Sequence, residues 1–312
     1  MRFMKSTISR LKKEIVKYFP KKDLHGFEYT VKELVGLCEN SKVATKWHGQ
    51  LLNETILKYK TSDTIFILGS GPSINDISPQ DWKYVEQHDS IGFNWWIVHD
   101  FIPSLYMFQA ASTNMLELLK DKYSDYRNIP FLIRGSAFAK GEFDYEDERL
   151  NLLKSNPVYY IKEYPISSKC SIDINMLFNY MENLGFMTFG HIANFVPKWR
   201  STLGLLISLS YQMGYQKIIL CGMDMHDNGH FWDYEPYLEL KKKYSLPDKD
   251  KSNIATFTDE RISPNTMPRY VYSLHDWMYN KNGVKIFVMN KKTLLYPEID
   301  LYERKSEYSY GE

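Results

Sequence analysis

Cysteine is scarce in this sequence, and the three cysteines form no C-x-x-C pair. Their scatter excludes the common zinc-ligand and disulfide patterns and favours a reducing cytoplasm. No apolar run is long enough to cross a membrane, and no signal-peptide pattern is present. A net charge of +1 gives no overall attraction to nucleic acid. We therefore expect an intracellular protein without a nucleic-acid partner. The sequence also has no G-x-S-x-G elbow and no P-loop, which argues against the catalytic schemes that use them.

The beginning of the sequence differs in composition from the rest. Within the first 22 residues, apolar residues recur at helical spacing among many lysines and arginines. A basic amphipathic helix of this kind binds an anionic membrane surface, or docks on its own protein with the cationic face in solvent. Residues 23–60 also have helical periodicity. We therefore predict a helical extension over residues 1–60. The apolar positions of the first helix are Met4, Ile8, Leu11, Ile15 and Phe19.

From residue 61 to 312, predicted strands alternate with predicted helices. Such alternation favours an α/β domain with a mostly parallel sheet and crossover helices. Two charged stretches, Gly141–Leu150 and Leu240–Ser252, are predicted as loops. The predicted strands are Thr64–Leu68, Ser90–Phe93, Leu105–Phe108, Phe131–Ile133, Val158–Ile161, Lys217–Leu220 and Val284–Met289. The predicted helices are Pro79–Gln87, Met115–Lys122, Thr202–Met213 and Pro268–Asn280.

The first strand of this domain ends in a glycine-rich turn with the sequence Gly-Ser-Gly-Pro-Ser. Nucleotides bind at the carboxyl ends of strands in α/β sheets, and glycines allow a sharp turn there. The match to a dinucleotide motif is incomplete, because Ile74 stands where a third glycine belongs and Pro72 lacks an N–H. A plain strand-to-helix turn remains the alternative. The candidate residues are Gly69, Ser70, Gly71, Pro72 and Ser73.

A second segment has the features of an anion site. Ser201 or Thr202 is a good N-cap for an apolar helix, and Arg200 adds a positive charge beside its free N–H groups. The strand that follows this helix ends in Gly222-Met-Asp224. The next residues, 226–233, are rich in polar, aromatic and titratable groups, which is typical of a site.

The order of these motifs, with Phe93-Asn94 after the second strand, resembles the bacterial CMP-sialic acid transferases of glycosyltransferase family 42. It is also similar to their relatives linked to flagellin glycosylation. The resemblance covers roughly residues 62–300. It implies a single Rossmann-like domain, a variant of the GT-A fold, that binds a CMP-sugar without a metal or other cofactor.

The resemblance also implies a role for each matching residue. The glycine turn would lie against the nucleotide, Asn94 would hydrogen-bond the donor, and Asp224, after Gly222, would sit at the ribose edge. The cytidine and ribose would meet Arg200, Ser201, Thr202, Leu203 and Gly204. Two tyrosines of the family stabilise the leaving phosphate; here their positions fall near His226 and Trp232, which are also hydrogen-bond donors.

The general base of the family has no counterpart at its usual place. The stretch Ser252–Thr266, which corresponds to the loop that carries the family's histidine, contains no histidine. Asp259 is the nearest carboxylate there, whereas His230 matches a histidine in the wider relatives. Because an imidazole with a pKa of roughly 6.5 suits this task, we expect His230 rather than Asp259 to be the base. A surface or packing histidine is the alternative.

Other chemistries fit parts of the same segment. Asp224, Asp227 and Asp233 with His226 and His230 offer metal ligands, but Asn228 and Gly229 break the helix that would align the imidazoles. Asp248-Lys-Asp250 has a D-x-D form without a preceding strand. A magnesium-dependent pyrophosphokinase of the same fold and a non-catalytic nucleotide- or glycan-binding module therefore remain as alternatives.

The leading hypothesis is an inverting glycosyltransferase that moves a sialic acid or related nonulosonic acid from its CMP conjugate. The acceptor would be a bacterial surface glycan: lipooligosaccharide, capsule or O-antigen. The basic N-terminal helix would hold a cytoplasmic enzyme at the inner membrane, where lipid-linked glycan acceptors are found. A homo-oligomer is left open.

Overall fold

A computed structural model of the chain describes residues 48–108, 112–134, 148–166, 174–193, 195–199, 201–226, 229–248 and 266–304. The predicted basic helix and most of the predicted extension, residues 1–47, lie outside these ranges. Within the described ranges, no helix combines the length and apolarity needed to cross a membrane.

The centre of the fold is an eight-stranded sheet in the order β1-β6-β5-β4-β3-β2-β9-β10, in which each neighbouring pair is parallel. The α/β prediction is therefore confirmed, and each predicted strand agrees with an observed strand to within one residue at either end. A separate pair, β7 and β8, is also parallel. The strands are β1 Gln50–Leu51, β2 Thr64–Leu68, β3 Asp89–Phe93, β4 Leu105–Phe108, β5 Phe131–Arg134, β6 Val158–Ile161, β7 Glu163–Ile166, β8 Val196–Trp199, β9 Lys217–Cys221 and β10 Lys285–Val288.

Helices cover both faces of this sheet. They are α1 Pro79–Val85, α2 Thr113–Tyr126, α3 Ile174–Asn183, α4 Thr202–Gln212, α5 Leu238–Tyr244 and α6 Met267–Asn282. Side-chain caps fix three of the starts. The hydroxyl of Ser78 accepts a hydrogen bond from Asp81 N–H at 3.1 Å, that of Ser112 accepts one from Met115 N–H at 3.2 Å, and that of Thr266 accepts one from Arg269 N–H at 3.4 Å. Short 3-10 helices occupy Glu54–Tyr59, Pro72–Asp76, Asn94–Val98, Glu148–Ser155 and Phe231–Asp233.

Residues 50 and 51 differ from their prediction as helix, and residues 54–59 are helical but of the 3-10 kind. Gln50 and Leu51 form an edge strand on β6, opposite Tyr159 and Tyr160, and a 3-10 helix follows. The main sheet therefore begins before the predicted domain boundary at residue 60. A two-residue strand has no periodicity of its own to read, which is why the sequence did not indicate it.

Each face of the sheet packs against its own apolar cluster, because successive side chains of a strand point to opposite faces. Ile65 and Ile67 of β2 belong to the cluster with α3, α4 and α6. Phe66 and Leu68 belong to the other cluster, with side chains of α1, α2 and α5. All five residues of β2 are buried, as expected for a central parallel strand.

The predicted loop Leu240–Ser252 is partly helical. Helix α5 includes its first residues and ends at Ser245, which adopts a left-handed conformation with φ of 47°. Of the helix's own residues only Tyr244 is buried, so the sequence carries almost no apolar periodicity. The predicted loop Gly141–Leu150 lies outside the described residues up to residue 147, and residues 148–150 begin a 3-10 helix.

The strand order reverses at β2, which lies between β3 and β9. Strands β3 to β6 extend the sheet to one side of β2, and β9 and β10 extend it to the other. In open parallel sheets, the crevice at the carboxyl ends of the strands at such a point is where ligands bind. The glycine turn follows β2, and Gly222 follows β9, so both predicted motifs meet at this point.

Candidate functional site

The glycine turn continues the pairing of β2 with β9 beyond the ends of the strands. Gly69 N–H donates to the carbonyl of Cys221, and Gly71 N–H donates to that of Gly222, each at 2.8 Å. A Cβ on Gly71 would lie 2.5 Å from Asp224 Oδ2, which is too close for any side chain. Close approach of two chain segments therefore explains this glycine, and it does so without a ligand.

Asp224 lies beneath the turn and binds it. The residue is 3% exposed, and its carboxylate accepts the N–H of Ser73 at 2.9 Å and the hydroxyl of the same serine. These contacts hold the start of the 3-10 helix Pro72–Asp76. We expected Asp224 at the ribose edge; in this structure both of its carboxylate oxygens are directed at Ser73.

His230 contacts the glycine turn at Ser70. Its Nδ1 is 3.2 Å from the hydroxyl of Ser70, and the carbonyl of Ser70 accepts the N–H of Phe231 at 3.0 Å. The imidazole stacks on Trp232 with 4.2 Å between ring centroids and 20° between planes. Asp233 accepts the N–H of His230 at 2.6 Å, so backbone and ring are both fixed.

Trp232 does not fit its predicted role as a donor to a phosphate. The side chain is 1% exposed, and its indole N–H donates to the carbonyl of Pro247 at 3.2 Å. The donor is therefore already used within the protein. The ring instead forms the surface on which His230 rests. This correction follows from burial, since a buried indole N–H takes the nearest backbone acceptor.

His226 lies between the end of β9 and the loop that follows β10. Its Nε2 hydrogen-bonds the carbonyl of Lys292, and because a carbonyl only accepts, Nε2 carries a proton there. The same loop binds the β9 end at two further points. The hydroxyl of Thr293 donates to the carbonyl of Met223 at 2.6 Å, and Leu294 N–H donates to that of Asp224 at 3.2 Å.

Asn94 follows β3 and has a polar atom without a partner. Its backbone is left-handed, with φ of 55°, and its carbonyl accepts the hydroxyl of Tyr106. Its side-chain Oδ1 is buried and receives no hydrogen bond from the described residues. A buried polar atom without a partner is costly. An acceptor here, near the point where the strand order reverses, is therefore suited to receive a hydrogen bond from a ligand.

The second predicted segment begins helix α4 at the same edge of the sheet. A helix between parallel strands runs opposite to them, and α4 leads through Gly214 into β9, so it starts at the carboxyl edge. Ser201 precedes it without capping it; its hydroxyl lies 3.4 Å from the sulfur of Met267. Thr202 and Leu203 are buried, and a Cβ on Gly204 would lie 3.0 Å from the ring of Tyr270.

Five residues weighed for the site lie outside the described residues: Arg200, Asp227, Asn228, Asp250 and Asp259. Within the described part of the chain, no three His, Cys, Asp or Glu side chains are grouped to hold a metal ion. The oxygens of Asp233 bind the N–H of His230 and the ammonium group of Lys241, at 2.6 and 2.7 Å.

Two site residues have no sequence motif. Lys292 and Asp76 form an ion pair at 2.7 Å that joins the loop after β10 to the 3-10 helix after the glycine turn. Single charged residues in separate loops give no spacing signal. Only the strand order, with β9 between β2 and β10, brings these two loops together.

No family model matches the chain, and no curated protein matches it. Among solved structures, it is similar to the sialyltransferase CstII from Campylobacter jejuni in complex with a substrate analogue, cytidine-5'-monophosphate. That match has 14% identity, covers 76% of this chain and 84% of the other, and has a TM-score of 0.39. A CST-II complex with a trisaccharide acceptor and CMP matches with 13% identity over 76% and 85%, at a TM-score of 0.38.

Proposed function

We propose that this protein is a CMP-sugar-dependent glycosyltransferase that transfers a sialic acid or a related nonulosonic acid to a bacterial surface glycan. The observation that carries this proposal is the meeting of the glycine turn, the end of β9 and Asn94 at the point where the strand order reverses. A nucleotide is the ligand class that this position in an open α/β sheet most often holds. The choice of a CMP-sugar among nucleotides comes from the resemblance of the motifs.

The nucleotide would lie above the Gly71–Gly222 contact. The buried Oδ1 of Asn94 is suited to accept a hydrogen bond from a ribose hydroxyl or an exocyclic amine. The start of helix α4 offers a positive helix dipole to the phosphate, with no side-chain cap from Ser201. In this proposal Arg200, Thr202, Leu203 and Gly204 remain nucleotide-binding residues. Asp224 acts on the nucleotide only through the glycine turn that it holds.

The transfer needs a base and a stabilised leaving group. An acceptor hydroxyl oxygen would attack the anomeric carbon while the bond from that carbon to the phosphate oxygen breaks, so that the configuration inverts. CMP leaves with the bonding electrons, and the acceptor proton passes to the base. The N-terminus of α4 would support the departing phosphate. His226 is the candidate side chain beside it, but its Nε2–H is donated to the carbonyl of Lys292, so it would reach the phosphate by exchanging that acceptor.

His230 is the proposed base. For its Nε2 to accept a proton, Nδ1 must carry one, and Ser70 Oγ at 3.2 Å is an acceptor for that Nδ1–H. The stacked Trp232 ring fixes the plane of the imidazole. Ser70 therefore selects the tautomer, and Trp232 sets the orientation of the ring. Asp259 is the second candidate for this role.

The site of action follows from the acceptor class. A lipid-linked glycan is presented at the inner membrane, and the basic stretch within residues 1–22 has the composition of a surface-binding helix. We therefore propose a cytoplasmic enzyme held at that membrane by its N-terminal extension, with the transferase domain, predicted from residue 61 to 312, beginning at the edge strand of residues 50 and 51.

A ligand panel tests the nucleotide class. Thermal stability is measured with CMP, CDP, UDP, GDP and ATP, each with and without EDTA, and we expect CMP to give the largest shift with no effect of EDTA. The variant Asn94→Gly removes the carboxamide while keeping the left-handed backbone, and should weaken CMP binding. Asn128→Gly is a matched control, because Asn128 is also left-handed, with φ of 71°, in an exposed turn.

Two outcomes would contradict the proposal. Stabilisation by ATP only when magnesium is present would favour the pyrophosphokinase alternative. Binding of CMP without any release of CMP from CMP-sialic acid in the presence of acceptor glycans would favour a binding module. Equal effects of Asn94→Gly and Asn128→Gly would remove Asn94 from the site.

A further inference from the structure

The ion pair between Lys292 and Asp76 joins the segments that follow β10 and β2, on either side of the end of β9, where the nucleotide site is proposed. Lys292 follows β10 and Asp76 ends the 3-10 helix after the glycine turn, so the 2.7 Å contact passes over the end of β9, which lies between them in the sheet. The carbonyl of Lys292 also receives the Nε2–H of His226, which we propose as a phosphate donor. Lys292 therefore contacts Asp76 through its ammonium group and His226 through its backbone carbonyl.

The pair is exposed, unlike the Asp224–Ser73 contact beneath it. The side chains of Lys292 and Asp76 are 64% and 45% exposed. Exposed ion pairs contribute little to stability, because both charges are well solvated and both side chains lose rotamer freedom. Asp76 raises the pKa of Lys292, and the negative charge of the Asp224 carboxylate raises it further, so the ammonium group stays charged. A weak partner of this kind is readily exchanged for a stronger anion.

We propose that Lys292 binds the phosphate of the nucleotide and that Asp76 holds its ammonium group in place while the site is empty. This inference rests on the proposed function, which supplies the phosphate. The phosphate of the CMP-sugar is a diester with one negative charge, whereas that of the product CMP is a monoester with nearly two at neutral pH, so CMP attracts the ammonium group more strongly than one carboxylate does. In the transfer reaction the same cation would meet the charge that develops on the departing CMP.

The two residues have opposite expected effects on binding, which separates this role from a structural one. Lys292→Ala should weaken the binding of CMP about tenfold and leave the binding of cytidine unchanged, since cytidine has no phosphate. Asp76→Asn should strengthen CMP binding several-fold, because it removes the competing carboxylate. Affinities are measured by calorimetry at low salt, where such charge effects are largest.

A matched pair serves as the control. Lys281 and Glu182 form another exposed ion pair at 2.7 Å, between α6 and α3, with 41% and 31% exposure. Lys281→Ala and Glu182→Gln should change neither affinity. Parallel melting curves of each variant confirm that the chain folds.

The proposal is wrong if Lys292→Ala and Asp76→Asn weaken CMP binding alike, because the pair would then only hold the loops together. Equal losses for CMP and cytidine in Lys292→Ala would likewise overturn it, as would unchanged CMP binding. If the wild-type protein prefers another nucleotide, the proposed function fails, and that nucleotide and its nucleoside then test Lys292 in the same way. If it binds no nucleotide, both fail.

Discussion

Asp224 and Ser73 are separated by 151 positions in the sequence and joined by two hydrogen bonds in the fold. Asp224 follows β9 and Ser73 follows β2, so the pair joins the carboxyl ends of the two strands at the point where the strand order reverses. Both residues are buried, at 3% and 2% exposure. The glycine turn therefore has a fixed shape before any ligand arrives.

Loss of the Asp224 carboxylate should loosen this turn. Asp224→Ala leaves the buried N–H and hydroxyl of Ser73 without an acceptor, and we expect it to lower the free energy of unfolding by about 2 kcal/mol. In a double-mutant cycle with Ser73→Ala, measured by urea denaturation, the two losses should be strongly non-additive. Additive losses would show that the pair does not act as a unit.

The glycine at position 71 should be intolerant of any side chain. In Gly71→Ala the new Cβ meets Asp224 Oδ2 at 2.5 Å and the carbonyl of Gly222 at 2.7 Å, so we expect a loss of about 3 kcal/mol and weaker nucleotide binding. Gly185→Ala is the control: its φ of +76° disfavours alanine by about 1 kcal/mol, but no atom lies within 4 Å of the new Cβ. Melting temperature and CMP affinity are measured for both. A Gly71→Ala protein as stable as Gly185→Ala would contradict the close packing.

Replacing the proposed base should affect the reaction far more than binding. His230→Gln removes the titrating ring, so the transfer rate should fall by about two to four orders of magnitude, whereas CMP affinity changes little. His191→Gln is the control, because it makes the same substitution away from the glycine turn. His191 is 60% exposed and pairs with Glu54 at 2.7 Å, and the His191→Gln enzyme should have normal activity. An active His230→Gln enzyme would direct attention to Asp259.

Acid should destabilise the protein through His99. Burial lowers the pKa of this imidazole to about 4, and its Nδ1 accepts the N–H of Phe101 at 2.9 Å in a pocket where Trp96 stacks on the ring. Because the folded pKa lies below the unfolded value of about 6.5, its contribution is complete above pH 6.5 and declines as the pH falls toward 4. The loss at pH 5 is about 2 kcal/mol.

The variant His99→Asn tests this dependence. The asparagine Oδ1 can accept from Phe101 N–H without titrating, although the ring contacts with Trp96 are lost. We expect a lower melting temperature at pH 7.5 and a smaller further decrease between pH 7.5 and pH 5 than in the wild type. Equal decreases in both proteins would assign the acid sensitivity to other groups.

Local patterns predicted most of the sheet because each central strand carries its own signal. Thr64–Leu68 and Leu105–Phe108 are apolar runs that end at turns, and the structure has the same bounds. Strands β7 and β8 were missed. They contain Glu163 and Lys198, which are held together as an ion pair in a small separate sheet, and such charged segments do not look like buried strands.

The candidate site was only partly predictable. The glycine turn, Gly222, Asp224 and His230 were identified from their positions at strand ends, and the fold brings all of them to one edge of the sheet. The hydrogen bond from Trp232 to Pro247 was not predictable, because burial decides whether an indole N–H needs an acceptor within the protein. Lys292 and Asp76 are separated by 216 positions, and neither belongs to a motif.

The sequence by itself determined the parallel α/β architecture, because strand and helix signals depend on residues a few positions apart. It also determined which segments lie at strand ends, where glycine and polar residues replace apolar ones. Only the tertiary structure decided what each site residue contacts. The order β3-β2-β9-β10 brings distant loops together, and the resulting burial directs Asp224 to Ser73 and His226 to the backbone of Lys292. Hydrogen-bonding groups that lose water must take the partners that this arrangement supplies.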